Sequence, residues 1–62
     1  MYYTNRELKN LGFSRVGKNV QVSKLAQFYS IKGSIGDNSR IDDFAILKGH
    51  ITIGKYVHIS SF

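Results

Sequence analysis

Aliphatic residues recur at every sixth position through the second half of the chain. The series consists of Ile35, Ile41, Leu47, Ile53 and Ile59. A second residue, usually small, follows four places after each of the first four members: Ser39, Ala45, Ile51 and Val57. An α-helix has a period of about 3.6 residues and an isolated strand one of about 2, so neither explains this spacing. A six-residue period with glycine in second place, as at Gly36 and Gly54, is typical of β-helix repeats.

The same register continues through the first half of the chain with one interruption. Its earlier members are Val16, Val20, Val22, Ala26 and Phe28. The small position after Phe28 falls on Lys32, and the step from Phe28 to Ile35 is seven residues instead of six. We predict a corner with one inserted residue at 31–34, in which Gly33 supplies the backbone freedom.

Three six-residue repeats account for one coil of a three-sided tube. Val16 and Ile35 are 19 residues apart, and Ile35 and Ile53 are 18 apart, so these residues should stack in one column. The expected spacing between stacked strands is about 4.8 Å. Corners need residues that tolerate positive φ, for which Asn and Asp are the best choices after Gly. The predicted corners are Lys18-Asn19, Asp37-Asn38 and Asp42-Asp43. The alternative, an antiparallel β domain, leaves the glycines unexplained.

A short helix is predicted before the repeats, over residues 4–12. Thr4 and Glu7 have the spacing of a capping box, and Gly12 suits the residue that ends a helix. Leu8 and Leu11 fall on one face, and three aromatic residues are available to pack around them: Tyr2, Tyr3 and Phe13. We predict that residues 1–15 form a helical cap over the open end of a β-helix at 16–62. The alternative is that the aromatic residues form a binding platform.

Length and composition restrict the other possibilities. Sixty-two residues make one small domain or part of one, and without cysteine there is no disulfide and no thiolate metal site. The chain has no apolar run of membrane-spanning length and no signal peptide, so a cytoplasmic location is expected. The net charge of +5 suits an anionic partner, but the basic residues are scattered, which favours a solvated surface. The last repeat stops at Phe62, the fourth of its six residues, and we therefore expect a longer solenoid.

Two segments carry a resemblance to a known family. They are Ile-Gly-Asp-Asn-Ser-Arg-Ile, which starts at Ile35, and Ile-Gly-Lys-Tyr-Val-His-Ile, which starts at Ile53. They resemble the hexapeptide-repeat acyltransferases, in particular the O-acetyltransferases that modify sugars and surface polysaccharides. The resemblance implies an all-β fold, a left-handed parallel β-helix, which here would have about two and a half coils after its helical cap. It also implies acetyl-CoA as acyl donor, a sugar hydroxyl as acceptor, and a homotrimer with the cofactor between neighbouring subunits.

Histidine is the catalytic base that the resemblance implies, because its ordinary pKa lies near neutrality. His50 is the fourth residue of its repeat, points outward near a corner, and is the candidate base. His58 is the sixth residue of its repeat and is a candidate contact for cofactor or partner chain. Asp42 or Asp43 could orient one of them from one coil away. A main base beyond Phe62 stays open, as does a plain surface role for both histidines.

Three other functions are weighed against acyl transfer. A non-catalytic solenoid gains strongly in weight if the chain ends at Phe62, and we expect these 62 residues alone to be inactive. A γ-carbonic-anhydrase-like enzyme needs three histidines for zinc, whereas this chain has two at no recognised ligand spacing, so no metal is expected. The Gly33-Ser34-Ile35-Gly36 segment has the form of an RNA-clamping GxxG loop, but its flanks read as strands, so no nucleic acid partner is expected.

Overall fold

The protein folds as a stack of short parallel strands behind one N-terminal helix. The structure, a computed structural model, describes residues 1–60. Within them lie α1 (Asn5–Leu11), β1 (Phe13–Val16), β2 (Gln21–Val22), β3 (Gln27–Ile35), β4 (Arg40–Ile41), β5 (Ile46–Ile53) and β6 (His58–Ile59). No helix among residues 1–60 is long and apolar enough to cross a bilayer.

The strands pair in parallel in two sheets, in the orders β1-β3-β5 and β2-β4-β6. Both long strands, β3 and β5, turn a corner midway: residues 27–29 pair with 46–48, and residues 32–35 pair with 50–53. Each turn of the chain therefore contributes three flat segments. Three columns of stacked apolar residues result: Val16–Ile35–Ile53, Val22–Ile41–Ile59 and Phe28–Leu47. The predicted stacking of Ile35 on Ile53 is confirmed.

The core is the inside of this stack. Its buried apolar residues are Leu8, Phe13, Val22, Ala26, Ile31, Ile35, Ile41, Ala45 and Ile53. Ser39 is also buried, and its hydroxyl donates to the Gly54 carbonyl at 2.6 Å and accepts from the Val57 amide at 3.1 Å. A buried hydroxyl is costly unless it is hydrogen-bonded, and these two bonds remove that cost. The small inward position predicted for Ser39 and Ala45 is confirmed.

The inserted residue lies earlier than predicted. The register of β3 against β5 shifts between Tyr29 and Lys32, where Ser30 and Ile31 stand opposite the single residue Gly49. Ser30 takes a φ of +50°, Ile31 is buried and Lys32 is exposed. The inward position that the six-residue count assigns to Lys32 is therefore taken by Ile31. Burial inside the coil is favourable for the apolar Ile31 side chain, whereas the Lys32 ammonium would lose its hydration there.

Gly33 is a strand residue and not the corner that was predicted. It pairs with Ile51 and has a φ of +147°. A Cβ atom at this position would overlap the Ile51 carbonyl oxygen, so the neighbouring strand could not approach as closely. The prediction that Gly33 supplies backbone freedom is confirmed by its positive φ, and the close approach of the neighbouring coil is a second reason for glycine.

Positive-φ residues mark the corners. Asn19 and Asn38 have φ of 56° and 60°, which confirms two of the three predicted corners. Tyr56 occupies the same corner one coil further on, with a φ of 56°. At the next corner along the chain the left-handed residue is Phe44, with a φ of 66°, so the predicted Asp42-Asp43 corner was placed one residue too early.

The N-terminal helix has the predicted capping box. The Thr4 amide donates to Glu7 Oε1 at 2.8 Å, and the Glu7 amide donates to Thr4 Oγ1 at 3.1 Å. Gly12 forms the C-cap, and Leu8 is fully buried. The first strand begins at Phe13, inside the range predicted for the cap.

The first three residues extend this covering as a strand-like segment. Tyr2 forms an antiparallel bridge with Ser23, and the Tyr3 amide donates to the Val22 carbonyl at 2.9 Å. These bonds satisfy backbone groups at an edge where another chain would otherwise pair. The Tyr3 and Phe13 rings each pack edge-on against Phe28, with centroids 6.0 and 5.8 Å from it. Tyr3 and Phe13 thus pack against the first coil, as the cap prediction requires.

Candidate functional site

The most chemically distinctive cluster lies on the outer face of the β2-β4-β6 sheet. Parallel pairing places Gln21, Arg40 and His58 in one column across this sheet. All three are exposed. Asp42 follows Arg40 by two residues, and side chains two residues apart along an extended segment lie on the same side. The register therefore brings a guanidinium, a carboxylate and an imidazole together on one surface.

Asp42 links the other two side chains. Its Oδ2 lies 2.8 Å from His58 Nε2, and its Oδ1 accepts from Arg40 Nε at 3.0 Å. Arg40 Nη2 lies 3.1 Å from the same His58 nitrogen. Of the two acidic candidates named from the sequence, Asp42 is thus the one that orients a histidine. Asp43 instead accepts a short hydrogen bond from the Ser23 hydroxyl.

These contacts constrain the tautomer of His58. Nε2 can donate to Asp42 only when it carries a proton, and it can accept from Arg40 only when it does not. The shorter contact and the negative charge of the carboxylate favour the protonated Nε2. In neutral His58 the lone pair then sits on Nδ1. This arrangement makes Nδ1 the nitrogen able to accept a proton from a substrate.

The surroundings of Asp42 keep it ionised. The hydrogen bond with His58 is the largest influence and lowers the pKa of Asp42; desolvation, the second largest, opposes it, and the positive charge of Arg40 adds to the lowering. At neutral pH Asp42 is therefore a fixed negative charge beside His58. A carboxylate of this kind both holds the imidazole in place and stabilises the imidazolium once a proton has been taken up.

A shallow depression of about 310 Å³ borders this cluster. Its lining residues are Gln21, Asn38, Ser39, Arg40, Tyr56, Val57 and His58. The Tyr56 side chain stands at the corner beside it, and the residue is 77% exposed. A second depression, of about 250 Å³, has Tyr2, Ser23 and Asp42 among its lining residues. The Arg40–Asp42–His58 cluster therefore borders two recesses in which a ligand could approach it.

His50 is placed differently. It belongs to β5, where it pairs with Lys32 in the other sheet, and it is exposed beside the Gly49 corner. Its outward position near a corner is as predicted. Among residues 1–60 no hydrogen bond to its ring is present, and the structure does not bring it into the cluster around His58. No group of three or more metal-ligating side chains occurs in the same part of the chain.

Sequence reasoning missed Arg40, a member of the cluster, and Tyr56, which lines the depression beside it. The signal for Arg40 was available, because it lies 18 residues before His58, one full coil, and two residues before Asp42. Tyr56 carried a weaker signal: it stands 18 residues after Asn38, at a corner where asparagine is the expected residue.

Comparisons with known proteins match this architecture. Residues 32–62 match the family described as bacterial transferase hexapeptide (six repeats). The chain is 43% identical over 65 residues to an Escherichia coli dTDP-4-amino-4,6-dideoxy-D-glucose acyltransferase, covering 98% of this chain and 34% of that protein. It also matches the crystal structure of the S84T mutant of AntD, an N-acyltransferase from Bacillus cereus in complex with dTDP and coenzyme A. That match has a TM-score of 0.75 and 55% identity, and covers 92% of this chain and 31% of AntD.

The chain thus spans about a third of the length of the relatives it matches. The family match covers half of the chain and includes β4, β5 and β6, which carry Arg40, His50 and His58. The strands of this chain are parallel and follow the six-residue period of the family, as the sequence predicted. By sequence and by structure, the chain belongs to the bacterial transferase hexapeptide family.

Proposed function

We propose that this chain forms the first coils of an acyl-CoA-dependent sugar acyltransferase. The proposed architecture is a left-handed parallel β-helix of about two and a half coils over residues 16–62, of which residues 61 and 62 lie outside the part that the structure describes. Membership of the hexapeptide family and the two acyltransferase relatives support this proposal. The predicted homotrimer and cytoplasmic location remain part of the same proposal.

The acceptor we propose is an amino group on a nucleotide-linked sugar. The sequence alone favoured a sugar hydroxyl. AntD is an N-acyltransferase, and the E. coli relative is named for a 4-amino sugar carried on dTDP. Both names support transfer to nitrogen; the name of the E. coli relative includes dTDP, and the AntD crystal contains dTDP as a ligand. We therefore propose amide formation on a dTDP-linked amino sugar.

The observation that carries the catalytic part of the proposal is the 2.8 Å contact between Asp42 Oδ2 and His58 Nε2. With Nε2 bound to the carboxylate, Nδ1 of His58 takes the proton that the acceptor nitrogen loses as it attacks. A new bond forms between that nitrogen and the acyl carbon, the carbon–sulfur bond breaks, and the leaving thiolate takes the proton back from Nδ1 of His58 to depart as the thiol. Asp42 stabilises the imidazolium during this step, and Arg40 holds the second carboxylate oxygen. A general base of this kind contributes about 10²–10⁴-fold to rate.

The acyl donor that we propose is acetyl-CoA, whose thioester supplies an activated acyl carbon. The depression beside Arg40 and Tyr56 lies at the lower end of the size range of ligand pockets. The guanidinium, amide and aromatic groups that line this depression suit the nucleotide portion of a coenzyme or of a nucleotide-linked sugar. Residues 1–60 therefore fit one part of a coenzyme or nucleotide ligand, and Arg40 and Tyr56 are the residues that would hold it.

The test uses the natural polypeptide that carries residues 1–62, acetyl-CoA and dTDP-4-amino-4,6-dideoxyglucose, with thiol release as the signal. We expect His58→Gln to lower kcat by about 10²-fold or more, because Nδ1 of this histidine takes up the proton. Asp42→Asn should also lower kcat and shift the pH–rate profile, since it changes the tautomer preference of His58. Lys48→Gln, an exposed change outside the cluster, is the control.

His50→Gln separates the two histidines. A large loss with His50→Gln and none with His58→Gln would assign the base to His50, as the sequence first suggested, and reject the role given to His58. If both variants keep the full rate, the base lies outside residues 1–62. If the wild-type polypeptide transfers no acyl group to an amino sugar, the proposed function itself is wrong.

A further inference from the structure

Tyr56 occupies a backbone conformation that its side chain does not favour. It stands in the corner column of Asn19 and Asn38, and all three have φ between 56° and 60°. Asparagine adopts this left-handed conformation readily, whereas an aromatic residue there is an outlier. Strained backbone conformations of this kind cluster at functional sites. The Tyr56 residue is 77% exposed, so core packing does not explain why tyrosine stands there.

The recess beside Tyr56 contains polar groups suited to a phosphorylated ligand. Arg40 uses Nε for Asp42, and Nη2 lies near His58, which leaves the two N–H groups of Nη1. A planar guanidinium is well matched to phosphate oxygens. Gln21 and Asn38 add side-chain amides to the same recess. An aromatic surface, amides and a guanidinium are therefore available within one depression of about 310 Å³.

The charge around this corner also favours an anion. Lys18 and Lys55 precede Asn19 and Tyr56 at the same corner, and both are exposed. Asp37, between them in the column, is engaged through Oδ1 by the Lys18 amide at 2.8 Å. The chain as a whole carries a net charge of +5. Exposed lysines that precede Asn19 and Tyr56 raise the local concentration of an anionic ligand.

We propose that the recess between Tyr56 and Arg40 is a nucleoside-diphosphate site. The base stacks on the Tyr56 ring, and a phosphate oxygen accepts from the Arg40 guanidinium. This inference rests on the proposed function, in which the acceptor is linked to dTDP and the donor is coenzyme A. Both molecules contain a base and a diphosphate, so the chemistry of the site is common to them and the experiment distinguishes the two sources.

Phe44 provides an internal comparison. It also has a left-handed backbone, with φ of 66°, and it is 66% exposed. The Phe44 amide donates to the Leu25 carbonyl at 3.2 Å, and Leu25 and Ile46 are exposed apolar residues beside it in space or in sequence. Phe44 thus shares the strain and the exposed ring of Tyr56 but lies outside the depression that contains Arg40. It is the matched control for the role of the tyrosine.

Binding is measured by calorimetry on the natural polypeptide, with dTDP, thymidine and coenzyme A as separate probes. We expect dTDP to bind at least tenfold more tightly than thymidine, because the diphosphate contacts Arg40. Preferential binding of coenzyme A through the same residues would assign the site to the acyl donor. Binding of none of the three probes would overturn the inference.

Substitutions at the corner then identify the contacts. Tyr56→Asn restores the residue found at Asn19 and Asn38, so the fold should be kept while dTDP binding weakens about tenfold or more. Tyr56→Phe should bind as wild type does. Phe44→Asn relieves the same backbone strain at another corner and should leave binding unchanged. If Tyr56→Asn and Phe44→Asn both bind dTDP as wild type does, the site is not at Tyr56.

Arg40→Gln tests the phosphate contact against Arg15→Gln, an exposed arginine of β1 in the other sheet. Only the first should weaken dTDP binding, by about tenfold, and it should affect thymidine much less. Equal effects of the two variants would show a general charge effect and reject the site. If the wild-type protein transfers the acyl group but neither Tyr56→Asn nor Arg40→Gln changes dTDP binding, this inference alone is rejected. If dTDP binding depends on both residues but the wild-type protein transfers no acyl group, the proposed reaction alone is rejected.

Discussion

Asp42 is the residue that ties the outer surfaces of two neighbouring coils together. One carboxylate oxygen contacts His58 from β6, and the other contacts Arg40 from its own coil. All three side chains are partly open to water, which screens their interactions. These interactions therefore fix the position and tautomer of His58 and contribute little to the stability of the fold.

The pKa of Asp42 should be measurably lower than its ordinary value of 3.8. His58→Gln removes the largest cause and should move the pKa back towards that value. Because the folded state lowers this pKa, ionised Asp42 favours folding above the pKa of the unfolded chain. That contribution disappears as the pH falls through the lowered folded value. Titration of the carboxyl carbon by NMR measures the shift.

Lys48→Gln provides the control for this titration, since Lys48 belongs to β5 in the other sheet. It should leave the Asp42 titration where it is. An Asp42 pKa at or above 3.8 in the wild-type protein would show that the contact with His58 is not formed in solution.

At the scale of the strands, the six-residue period predicted which residues stack. It did so because each coil must place an apolar residue inward on each side, and a constant repeat puts these residues in columns. Val22, Ile41 and Ile59 form such a column. The period could not locate the inserted residue, because both Ile31 and Gly33 were compatible with it. Burial of an isoleucine in preference to a lysine decided the position.

The candidate site was predictable only in part. His58 and Asp42 were named from the sequence, but their pairing depends on which outward side chains meet across two coils. That information is in the 18-residue coil length and not in the six-residue repeat. Tyr56 and Phe44 were not predicted at corners because neither residue type favours a left-handed backbone.

Close stacking of coils gives a testable difference between two equivalent glycines. A Cβ atom on Gly36 would lie 2.6 Å from the carbonyl carbon of Gly54, whereas one on Gly54 would meet only Val57 Cγ2, at 3.9 Å. Gly36→Ala should therefore separate two coils and destabilise the fold by about 1–3 kcal/mol. Gly54→Ala in the 62-residue chain is the matched control and should have a small effect. Denaturant unfolding followed by circular dichroism measures both, and equal losses would contradict this explanation.

At the scale of the whole molecule, the N-terminal cap closes one end of an apolar interior. A tube of stacked strands exposes its core at an open end, and residues 1–3 with α1 cover that end here. Lys24 reinforces the attachment through an ion pair with Glu7 at 2.9 Å, although the pair is exposed and contributes little. The apolar contacts of the cap therefore carry most of the attachment.

Leu8 makes the cap testable against a second leucine. It is fully buried, whereas Leu25 is 51% exposed at a corner. Leu8→Ala should cost about 2–5 kcal/mol, because it removes buried apolar atoms and leaves a cavity beneath the helix. Leu25→Ala should change stability much less, although the chemical change is the same. A domain of this size has little stability to lose, so the Leu8 variant should show a strongly reduced unfolding midpoint or no cooperative transition. Similar midpoints for the two variants would mean that the helix does not seal the core.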